Sequence, residues 1–238
     1  MSKAKNRAAS AVGSPAASTR RHVARVMPRL RAAMGEMAEP AVEKIAEEEQ
    51  SDPFKVLIST MLSAQTRDPV TLAASTRLFA RAETPREMAG LRVATIEKLI
   101  YPVSFYRNKT RHLKKTCRLL LARHSGQVPT TMAELLELPG VGRKTANLVL
   151  IVALRSQENI CVDTHVHRIS NRLGWVETQT PAETEEALYQ VAARRWWPLL
   201  NLYLVTWGQN VCKPVYPVCG RCAISTLCPQ IGVVKVGK

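Results

Sequence analysis

The stretch LPGVGRKTANLVLIVAL, residues 138–154, decides the fold. It predicts a tight hairpin that contains two glycines, followed by a helix that is apolar on nearly every side. The preceding segment TTMAELLE, residues 130–137, predicts a short helix that Pro139 ends. Gly140 and Gly142 permit positive φ and the close approach of another backbone. The stretch therefore predicts a helix, a hairpin and a second, buried helix.

The first turn of the second helix combines an anion site with a lysine. We expect this helix to begin near Gly142 or Arg143, where its unpaired amides and its dipole favour a phosphate group. Lys144 falls in that turn, and the partial positive charge and the apolar run behind it are expected to lower its pKa. Lys144 is therefore a candidate amine nucleophile. The alternatives are a solvated lysine in an ordinary turn, or a hairpin that only grips a DNA backbone.

Composition limits the class of protein. The chain has 238 residues, 46% of them hydrophobic, which suffices for one large or two small domains. Its formal net charge of +15 indicates a polyanionic partner such as nucleic acid, with an acidic membrane surface as the alternative. An apolar run long enough to span a membrane is absent from the sequence, and so is a signal-peptide core. We therefore expect an intracellular protein without a membrane segment.

The N-terminal 19 residues are rich in Ala, Ser, Lys and Arg and poor in large apolar residues. This composition predicts a disordered basic tail, and an organellar transit peptide is the alternative. A helical pattern follows over residues 20–48, and we expect Pro28 and Pro40 to break it. Its basic start and acidic end indicate a solvated face.

Two Asp-Pro pairs predict the N-termini of the next helices. Asp52 and Asp68 each precede a proline and are expected to cap their own helices. Gln65 and Thr66 lie in the turn between these helices, where they either project towards a ligand or satisfy turn amides. Two short helices and a longer one over residues 107–124 follow. Strand patterns are scarce, so the sequence predicts an all-α fold.

The longer helix carries a basic side, formed by Lys109, Arg111, Lys114, Lys115 and Arg118. Such a side is usually a solvated face, and phosphate contact is the alternative. Phe105 comes just before this helix. It is either a core residue or, at the edge of a DNA groove, a wedge between bases.

Asp163 follows the apolar segment ICV and is expected to cap the helix that contains Val166 and Ile169. A carboxylate at a helix N-terminus stays ionised, so Asp163 is also a candidate for stabilising developing positive charge. His165 and His167 are predicted to be hydrogen-bonded structural residues rather than metal ligands.

Four cysteines near the C-terminus form a C-x6-C-x2-C-x5-C array: Cys212, Cys219, Cys222 and Cys228. A zinc site usually uses two short knuckles, whereas this array has a single C-x2-C. The spacing instead suits a loop wrapped around a [4Fe-4S] cluster. Lys213 and Arg221 lie among these cysteines, so the cluster is expected to shape a basic loop for phosphate contact. Cys117 and Cys161 are predicted to be buried as small apolar residues.

The segments LPGVGRKTANLVL and VDTHVHR and the cysteine array, in that order, resemble the endonuclease III family. These proteins are bifunctional DNA glycosylases and abasic-site lyases of the helix-hairpin-helix superfamily. The resemblance covers residues 52–229. It implies an all-α, two-lobed fold, with a six-helix barrel module over residues 50–157 and a [4Fe-4S] cluster module built from residues 20–49 and 158–238. DNA is expected to bind across the cleft between them.

The resemblance also implies roles for single residues. Lys144 matches the family's Schiff-base lysine and Asp163 its catalytic aspartate. Gln65 matches a residue that enters the space left by a flipped nucleotide, and Phe105 occupies the position of an apolar wedge that is commonly leucine. The four cysteines match the cluster ligands. The expected DNA contacts are Gln65, Phe105, Gly140, Gly142, Arg143 and Lys213.

The function so implied is base excision repair. The expected substrate is double-stranded DNA with damaged bases or abasic sites, and the reaction is removal of oxidised pyrimidines such as thymine glycol followed by β-elimination through a lysine Schiff base. The expected protein is a monomer of the bacterial cytoplasm or nucleoid, with nucleus or mitochondrion as alternatives. A mismatch-specific glycosylase of the same superfamily and a noncatalytic helix-hairpin-helix DNA-binding protein remain alternatives. An adenine-removing relative is disfavoured, because that branch has serine at the position of Lys144.

Overall fold

The computed structural model describes residues 15–35 and 37–237. This part of the chain contains α-helices and short 3-10 turns and no strand, which confirms the predicted all-α fold. The α-helices are α1 (Pro15–Met34), α2 (Ala41–Glu48), α3 (Pro53–Ser63), α4 (Asp68–Phe79), α5 (Pro85–Gly90), α6 (Val93–Ile100), α7 (Tyr106–Arg123), α8 (Met132–Leu136), α9 (Arg143–Val152), α10 (Thr164–Arg172), α11 (Pro181–Val191) and α12 (Trp197–Asn210). Within the described residues, none of them is long and apolar enough to cross a membrane.

The helices pack around two hydrophobic cores. The first core is formed by α2 to α9, and the predicted apolar run of α9 is part of it. The second core is formed by α1, α10, α11 and α12. Neighbouring residues at the junction belong to different cores, since Ile160 packs in the second and Cys161 in the first. Cys117 and Cys161 are fully buried, as predicted.

The division between the cores differs from the predicted module boundaries. Helix α2 was assigned with residues 20–49 to the cluster module, but it contacts α3 and α4. Val42 and Ile45 are buried in the first core. Burial of these apolar residues decides where α2 belongs, while Glu47 and Glu48 stay exposed on the other side of the helix. The chain therefore crosses from the second core to the first before α2, and returns after α9.

Helix α1 begins earlier and continues further than the sequence predicts. Residues 15–19, placed in the disordered tail, belong to this helix, whereas residues 1–14 lie outside the described residues. Arg20 anchors it by donating from Nε and Nη2 to the carbonyl of Gln190, at 3.0 and 2.9 Å. The predicted break at Pro28 does not occur. Packing of Met27 and Leu30 in the second core offsets the hydrogen bond that the proline cannot donate.

The two predicted N-caps behave differently. Asp52 caps α3 as expected, since its side chain accepts from the backbone N–H of Lys55 at 2.8 Å. Asp68 does not cap its own helix. Its Oδ2 accepts from the N–H of Ala41 at 2.9 Å and from Nε2 of Gln209 at 3.0 Å. Asp68 therefore ties the start of α2 to α12 of the second core.

Helix α7 holds several loops rather than presenting one basic side. Lys109 is buried and Lys114 half-buried, so the predicted solvated face consists only of the exposed residues Arg111, Lys115 and Arg118. Lys114 donates from Nζ to the carbonyls of Ala89 and Leu91. Thr116 donates from Oγ1 to the carbonyl of Pro139 at 3.0 Å, which fixes the hairpin to α7.

Candidate active site

A cavity of about 590 Å³ lies between the two cores. Lys144 of α9 and Asp163, which precedes α10, both line it. The structure thus brings together the two residues that the sequence predicts to be catalytic, although they belong to different lobes. The cavity is also lined by polar residues of α2, of the α3–α4 turn, of α4, of α10 and of α12: Glu43, Gln65, Thr66, Asp68, His165 and Gln209.

The hairpin before Lys144 depends on one of its two glycines. Gly140 has φ +84°, and a Cβ there would lie 2.7 Å from Nδ1 of His112, so this position requires glycine. Gly142 has φ −105° and open space around its Cα, so it does not use the positive φ that glycine permits. Gly142 is the N-cap residue of α9, which places half-buried Lys144 in the first turn of that helix.

Arg143 is engaged in an ion pair. Its Nε and Nη2 donate to the two carboxylate oxygens of Glu185 in α11, at 3.1 and 2.7 Å. The same carboxylate accepts from Nδ2 of Asn147 at 3.0 Å, and the Glu185 side chain is only 4% exposed. This pairing weighs against the predicted phosphate contact of Arg143. Arg143 instead links α9 to α11 of the second lobe.

Asp163 is the N-cap of α10, as predicted. Its Oδ1 accepts from the backbone N–H groups of His165 and Val166, at 2.8 and 2.9 Å. These bonds fix the orientation of the carboxylate, and because both end on Oδ1 they leave Oδ2 unused by the cap. Asp163 lines the cavity from the opposite lobe to Lys144.

His165 connects the cavity to the cysteine loop. Nη2 of Arg168 bonds Nδ1 of His165 at 3.1 Å and also donates to the carbonyl of Cys212 at 2.8 Å. Burial lowers the pKa of His165, although the charge of Asp163 acts in the other direction. Gly208 makes room for the imidazole, because any Cβ at that position would overlap the ring. The sequence gives no signal for this close packing, because His165 lies 43 residues before Gly208 in the chain.

The predicted structural role of both histidines agrees with their hydrogen bonds. Nδ1 of His167 lies 2.6 Å from Oγ1 of Thr184 in α11. Within the described residues, no group of histidines, cysteines and carboxylates is arranged closely enough to hold a single metal ion.

Glu43 is a cavity residue that the sequence does not reveal. Burial raises the pKa of its carboxyl group to about 7, with Asp68 and Asp163 adding to the shift and Lys144 opposing it. Its position in a helix with an acidic end predicts a solvated residue. Glu43 reaches the cavity because α2 packs on the first core. Glu43 therefore changes its charge near neutral pH inside the candidate site.

Gln65 and Phe105 occupy neighbouring loops. Gln65 is exposed in the α3–α4 turn at φ +53° and lines the cavity. Phe105 is the N-cap residue of α7 at φ +55° and is 63% exposed. The core assignment for Phe105 is therefore wrong, and its exposure fits the alternative of a wedge.

All four cysteines of the array line one pocket with Arg172 and Trp207. Burial raises the pKa of the thiols of Cys219, Cys222 and Cys228, and neighbouring thiols add to the effect. Arg172 donates to Sγ of Cys212 at 3.4 Å and to the carbonyl of Lys213 at 2.7 Å, so it holds the start of the loop. Four cysteines on one pocket match the ligand set that the sequence predicts for a [4Fe-4S] cluster. Lys213 is exposed beside them.

Comparison with known proteins identifies the family. Residues 58–194 match the model of the HhH-GPD superfamily of base excision DNA repair proteins, and the chain belongs to this superfamily. Within the superfamily the similarity is to endonuclease III. Endonuclease III of Thermotoga maritima is 46% identical over 179 residues, which cover 75% of this chain and 84% of that protein.

Two solved structures share the fold. A non-covalent endonuclease III–DNA complex is 31% identical with a TM-score of 0.79, covering 89% of this chain and 95% of that one. A trapped endonuclease III–DNA covalent intermediate is 33% identical with a TM-score of 0.71, covering 80% and 93%. The predictions of the family, of the helix-hairpin-helix glycosylase fold and of a DNA glycosylase of base excision repair are confirmed.

Proposed function

We propose that this protein removes oxidised pyrimidines such as thymine glycol from duplex DNA and then cleaves the resulting abasic strand through a Schiff base on Lys144. The observation that carries the proposal is that Lys144 and Asp163, from different lobes, line the same cavity. A protein that only grips the DNA backbone needs neither a lysine nor a carboxylate in such a cavity. The covalent complex of the similar endonuclease III supports the same chemistry.

The first stage is displacement of the base. A damaged pyrimidine stacks and pairs poorly, so its extrusion from the duplex into the cavity costs less than that of a normal base. Neutral Nζ of Lys144 donates its electron pair to C1′, and the glycosidic bond breaks with its electrons leaving on the base, which takes up a proton. The carboxylate of Asp163 stabilises the positive charge that develops on the sugar. The nitrogen then loses a proton and its electron pair forms a double bond to C1′, while the C1′–O4′ bond breaks and O4′ takes up a proton, which leaves a protonated imine.

The second stage is strand cleavage. The imine acidifies the C2′ proton, and its removal by a base supplies the electrons for a new carbon–carbon double bond. The 3′ C–O bond breaks and the phosphate leaves with that electron pair. Water then hydrolyses the imine and regenerates the amine of Lys144. Asp163 is close enough to the cavity to assist the proton transfers.

DNA contacts are assigned to the hairpin and to the neighbouring loops. The tight turn at Gly140 lets a phosphodiester approach the first amides of α9. Gln65 and Phe105 are exposed and extend from turns beside the cavity, so they would fill the gap in the duplex and wedge between bases. Lys213 adds positive charge from the cysteine loop. The net charge of +15 makes binding strongly salt-dependent.

The cysteine pocket is proposed to hold a [4Fe-4S] cluster through Cys212, Cys219, Cys222 and Cys228. When bound, the cluster cross-links the loop and so fixes the position of Lys213. Arg172 holds the same loop from α10 through Cys212, Lys213 and Pro214. The protein is proposed to act as a monomer, in a bacterial cytoplasm or nucleoid or in a nucleus or mitochondrion. Bound iron and sulfide in the purified protein would support the cluster, and zinc in their place would refute it.

Sodium borohydride trapping tests the mechanism. The substrates are a duplex with thymine glycol and a duplex with an abasic site. The variants are Lys144→Ala and, as a matched control, Lys98→Ala, which removes an exposed lysine of α6. We expect covalent products on both duplexes from the wild-type protein and from Lys98→Ala, and none from Lys144→Ala.

The other outcomes separate the alternatives. Trapping at the abasic site alone would keep the lyase but reject thymine glycol, and a mismatched duplex would then test the mismatch-specific alternative. Trapping on neither duplex would refute the enzyme and leave a DNA-binding protein.

A further inference from the structure

Lys109 of α7 carries an ammonium group in the interior of the protein. The residue is only 9% exposed. Its Nζ donates to the carbonyls of Leu62 and Ala64, at 2.7 and 2.6 Å, and to Oγ1 of Thr66 at 3.1 Å. An ammonium has three N–H donors, and all three have acceptors here. In the described part of the chain, no carboxylate forms an ion pair with it.

Such a buried charge is costly, so its position calls for a reason. Burial lowers the pKa of Lys109 to about 8, and the nearby charge of Lys144 adds to that shift. The two carbonyls belong to the C-terminal end of α3, where the helix dipole favours a cation. Capping α3 alone explains two of the three hydrogen bonds. The third bond, to Thr66, lies beyond the helix.

Two of the three acceptors flank Gln65 in the chain. Ala64 precedes it and Thr66 follows it, and both are bound by the same ammonium. Gln65 has φ +53°, a left-handed conformation that is unfavourable for a residue with a side chain. Lys109 therefore holds the turn on both sides of its strained residue, and Gln65 itself stays free to project.

Thr66 extends this arrangement to the second loop. Its Oγ1 accepts from the N–H of Ser104 at 3.3 Å and donates to the carbonyl of Ala64 at 3.3 Å. Together with the bond from Lys109, this uses the one donor and both acceptor sites of the hydroxyl. Ser104 precedes Phe105, whose carbonyl accepts from the backbone N–H of Lys109 at 3.0 Å. Lys109, Thr66 and Ser104 thus join the turn of Gln65 to the loop of Phe105.

We propose that Lys109 is a positioning residue that holds Gln65 and Phe105 at a fixed spacing, so that both side chains enter a damaged duplex together. The inference rests on the proposed function, because it takes DNA as the ligand of these two loops. Gln65 and Phe105 both have left-handed backbones and exposed side chains. Two loops that drift independently would each lose entropy on entering the duplex, whereas joined loops are already ordered.

The first test compares two substitutions in the same helix. Lys109→Met keeps an unbranched chain of similar length but cannot donate hydrogen bonds. Lys114→Met is the matched control, since Lys114 also points inward from α7 and donates to two carbonyls, but of residues 89 and 91, which lie outside both loops. The assay is single-turnover cleavage of a duplex with an abasic site, beside borohydride trapping on a single strand with the same site. The single strand has no base pairs, so neither loop has to enter a duplex in this second assay.

We expect Lys109→Met to slow duplex cleavage by about tenfold to a hundredfold, as for a misplaced contact group. Trapping on the single strand should fall much less, because loss of the positive charge near Lys144 acts equally on both substrates and only the duplex requires the two loops. Lys114→Met should change both readouts by the same small factor. Equal losses on duplex and single strand for Lys109→Met would overturn the proposal and leave a purely structural cap of α3.

A second test uses a background that lacks both projecting side chains. In Gln65→Ala/Phe105→Ala, the added Lys109→Met substitution should slow duplex cleavage no more than it slows single-strand trapping, because nothing remains to be positioned. The same factor in both backgrounds would refute the proposal. Thr66→Val, which removes the shared hydroxyl and keeps the buried lysine, should reproduce the duplex-specific loss. If wild-type protein shows no trapping on either substrate, the proposed function fails; normal wild-type trapping with unaffected variants rejects only the role of Lys109.

Discussion

Removal of the Glu185 carboxylate should destabilise the protein strongly. In Glu185→Ala, Arg143 loses both of its hydrogen bonds to the carboxylate and Asn147 loses one. Hydrogen bonds to charged groups are worth about 1.5–3 kcal/mol each, and breaking a buried ion pair costs about 3–5 kcal/mol. Arg143 is 49% exposed and regains hydration, which reduces the loss. We therefore expect a decrease of about 2–4 kcal/mol in the free energy of unfolding.

The neighbouring residue provides the control. Glu186 lies 3.6 Å from the same Arg143 nitrogen, but its side chain is 74% exposed. Glu186→Ala should change the free energy of unfolding by less than about 1 kcal/mol, as exposed ion pairs do. Urea unfolding followed by circular dichroism measures both variants, and the melting temperature of Glu185→Ala should fall by roughly 5–15 °C. Similar losses in the two variants would refute the argument that burial of the carboxylate decides its contribution.

Three further predictions test other parts of the structure. Gly140→Ala should cost about 1–2 kcal/mol of stability and weaken DNA binding, because φ is +84° and His112 blocks a Cβ. Gly142→Ala is the control and should cost less than about 1 kcal/mol. Equal effects of the two substitutions in a thermal melt and a binding titration would contradict this reasoning. Glu43→Gln should flatten the pH dependence of stability. The pKa of about 7 in the folded protein lies above the ordinary value of 4.5, so the wild-type folded state binds an extra proton between these values, and its free energy of unfolding falls by about 3 kcal/mol as pH rises through them. Urea midpoints that fall equally with pH in both proteins would rule this out. Asp52→Ala should cost about 1 kcal/mol through loss of the α3 cap, and Asp52→Asn should restore most of it; no recovery in urea titrations would speak against capping.

Local signals predicted the elements well and their partners poorly. The cap at Asp52, the short helix before the hairpin and the buried run of α9 follow from neighbouring residues alone. Asp68 shows the same Asp-Pro signal as Asp52, yet its carboxylate binds Ala41 and Gln209. The difference lies in the tertiary packing of α2 and α12 beside it. A sequence pattern carries no information about that packing.

The candidate site divides in the same way. Lys144 and Asp163 were predicted from their places at helix starts and from the family resemblance, and they line one cavity. Glu43 and Lys109 were interpreted as parts of solvated faces, because charged residues at helical spacing usually are. Glu43 lies inside because the surrounding residues exclude water from it. Lys109 points inward because the end of α3 supplies acceptors for its ammonium group. Arg143 was predicted to bind phosphate, and its partner Glu185 lies 42 residues further along the chain.

The crossing of the chain between the two cores has a consequence for synthesis on the ribosome. Helix α1 buries Val23, Val26, Met27 and Leu30 against residues that begin at Ile160, and its anchor at Gln190 lies 170 residues beyond Arg20. At about 5–20 residues per second, the apolar side of α1 waits roughly 10–40 s for its partners, while α2 to α9 already complete the first core. The nascent chain thus exposes the apolar side of an amphipathic helix for much of its synthesis.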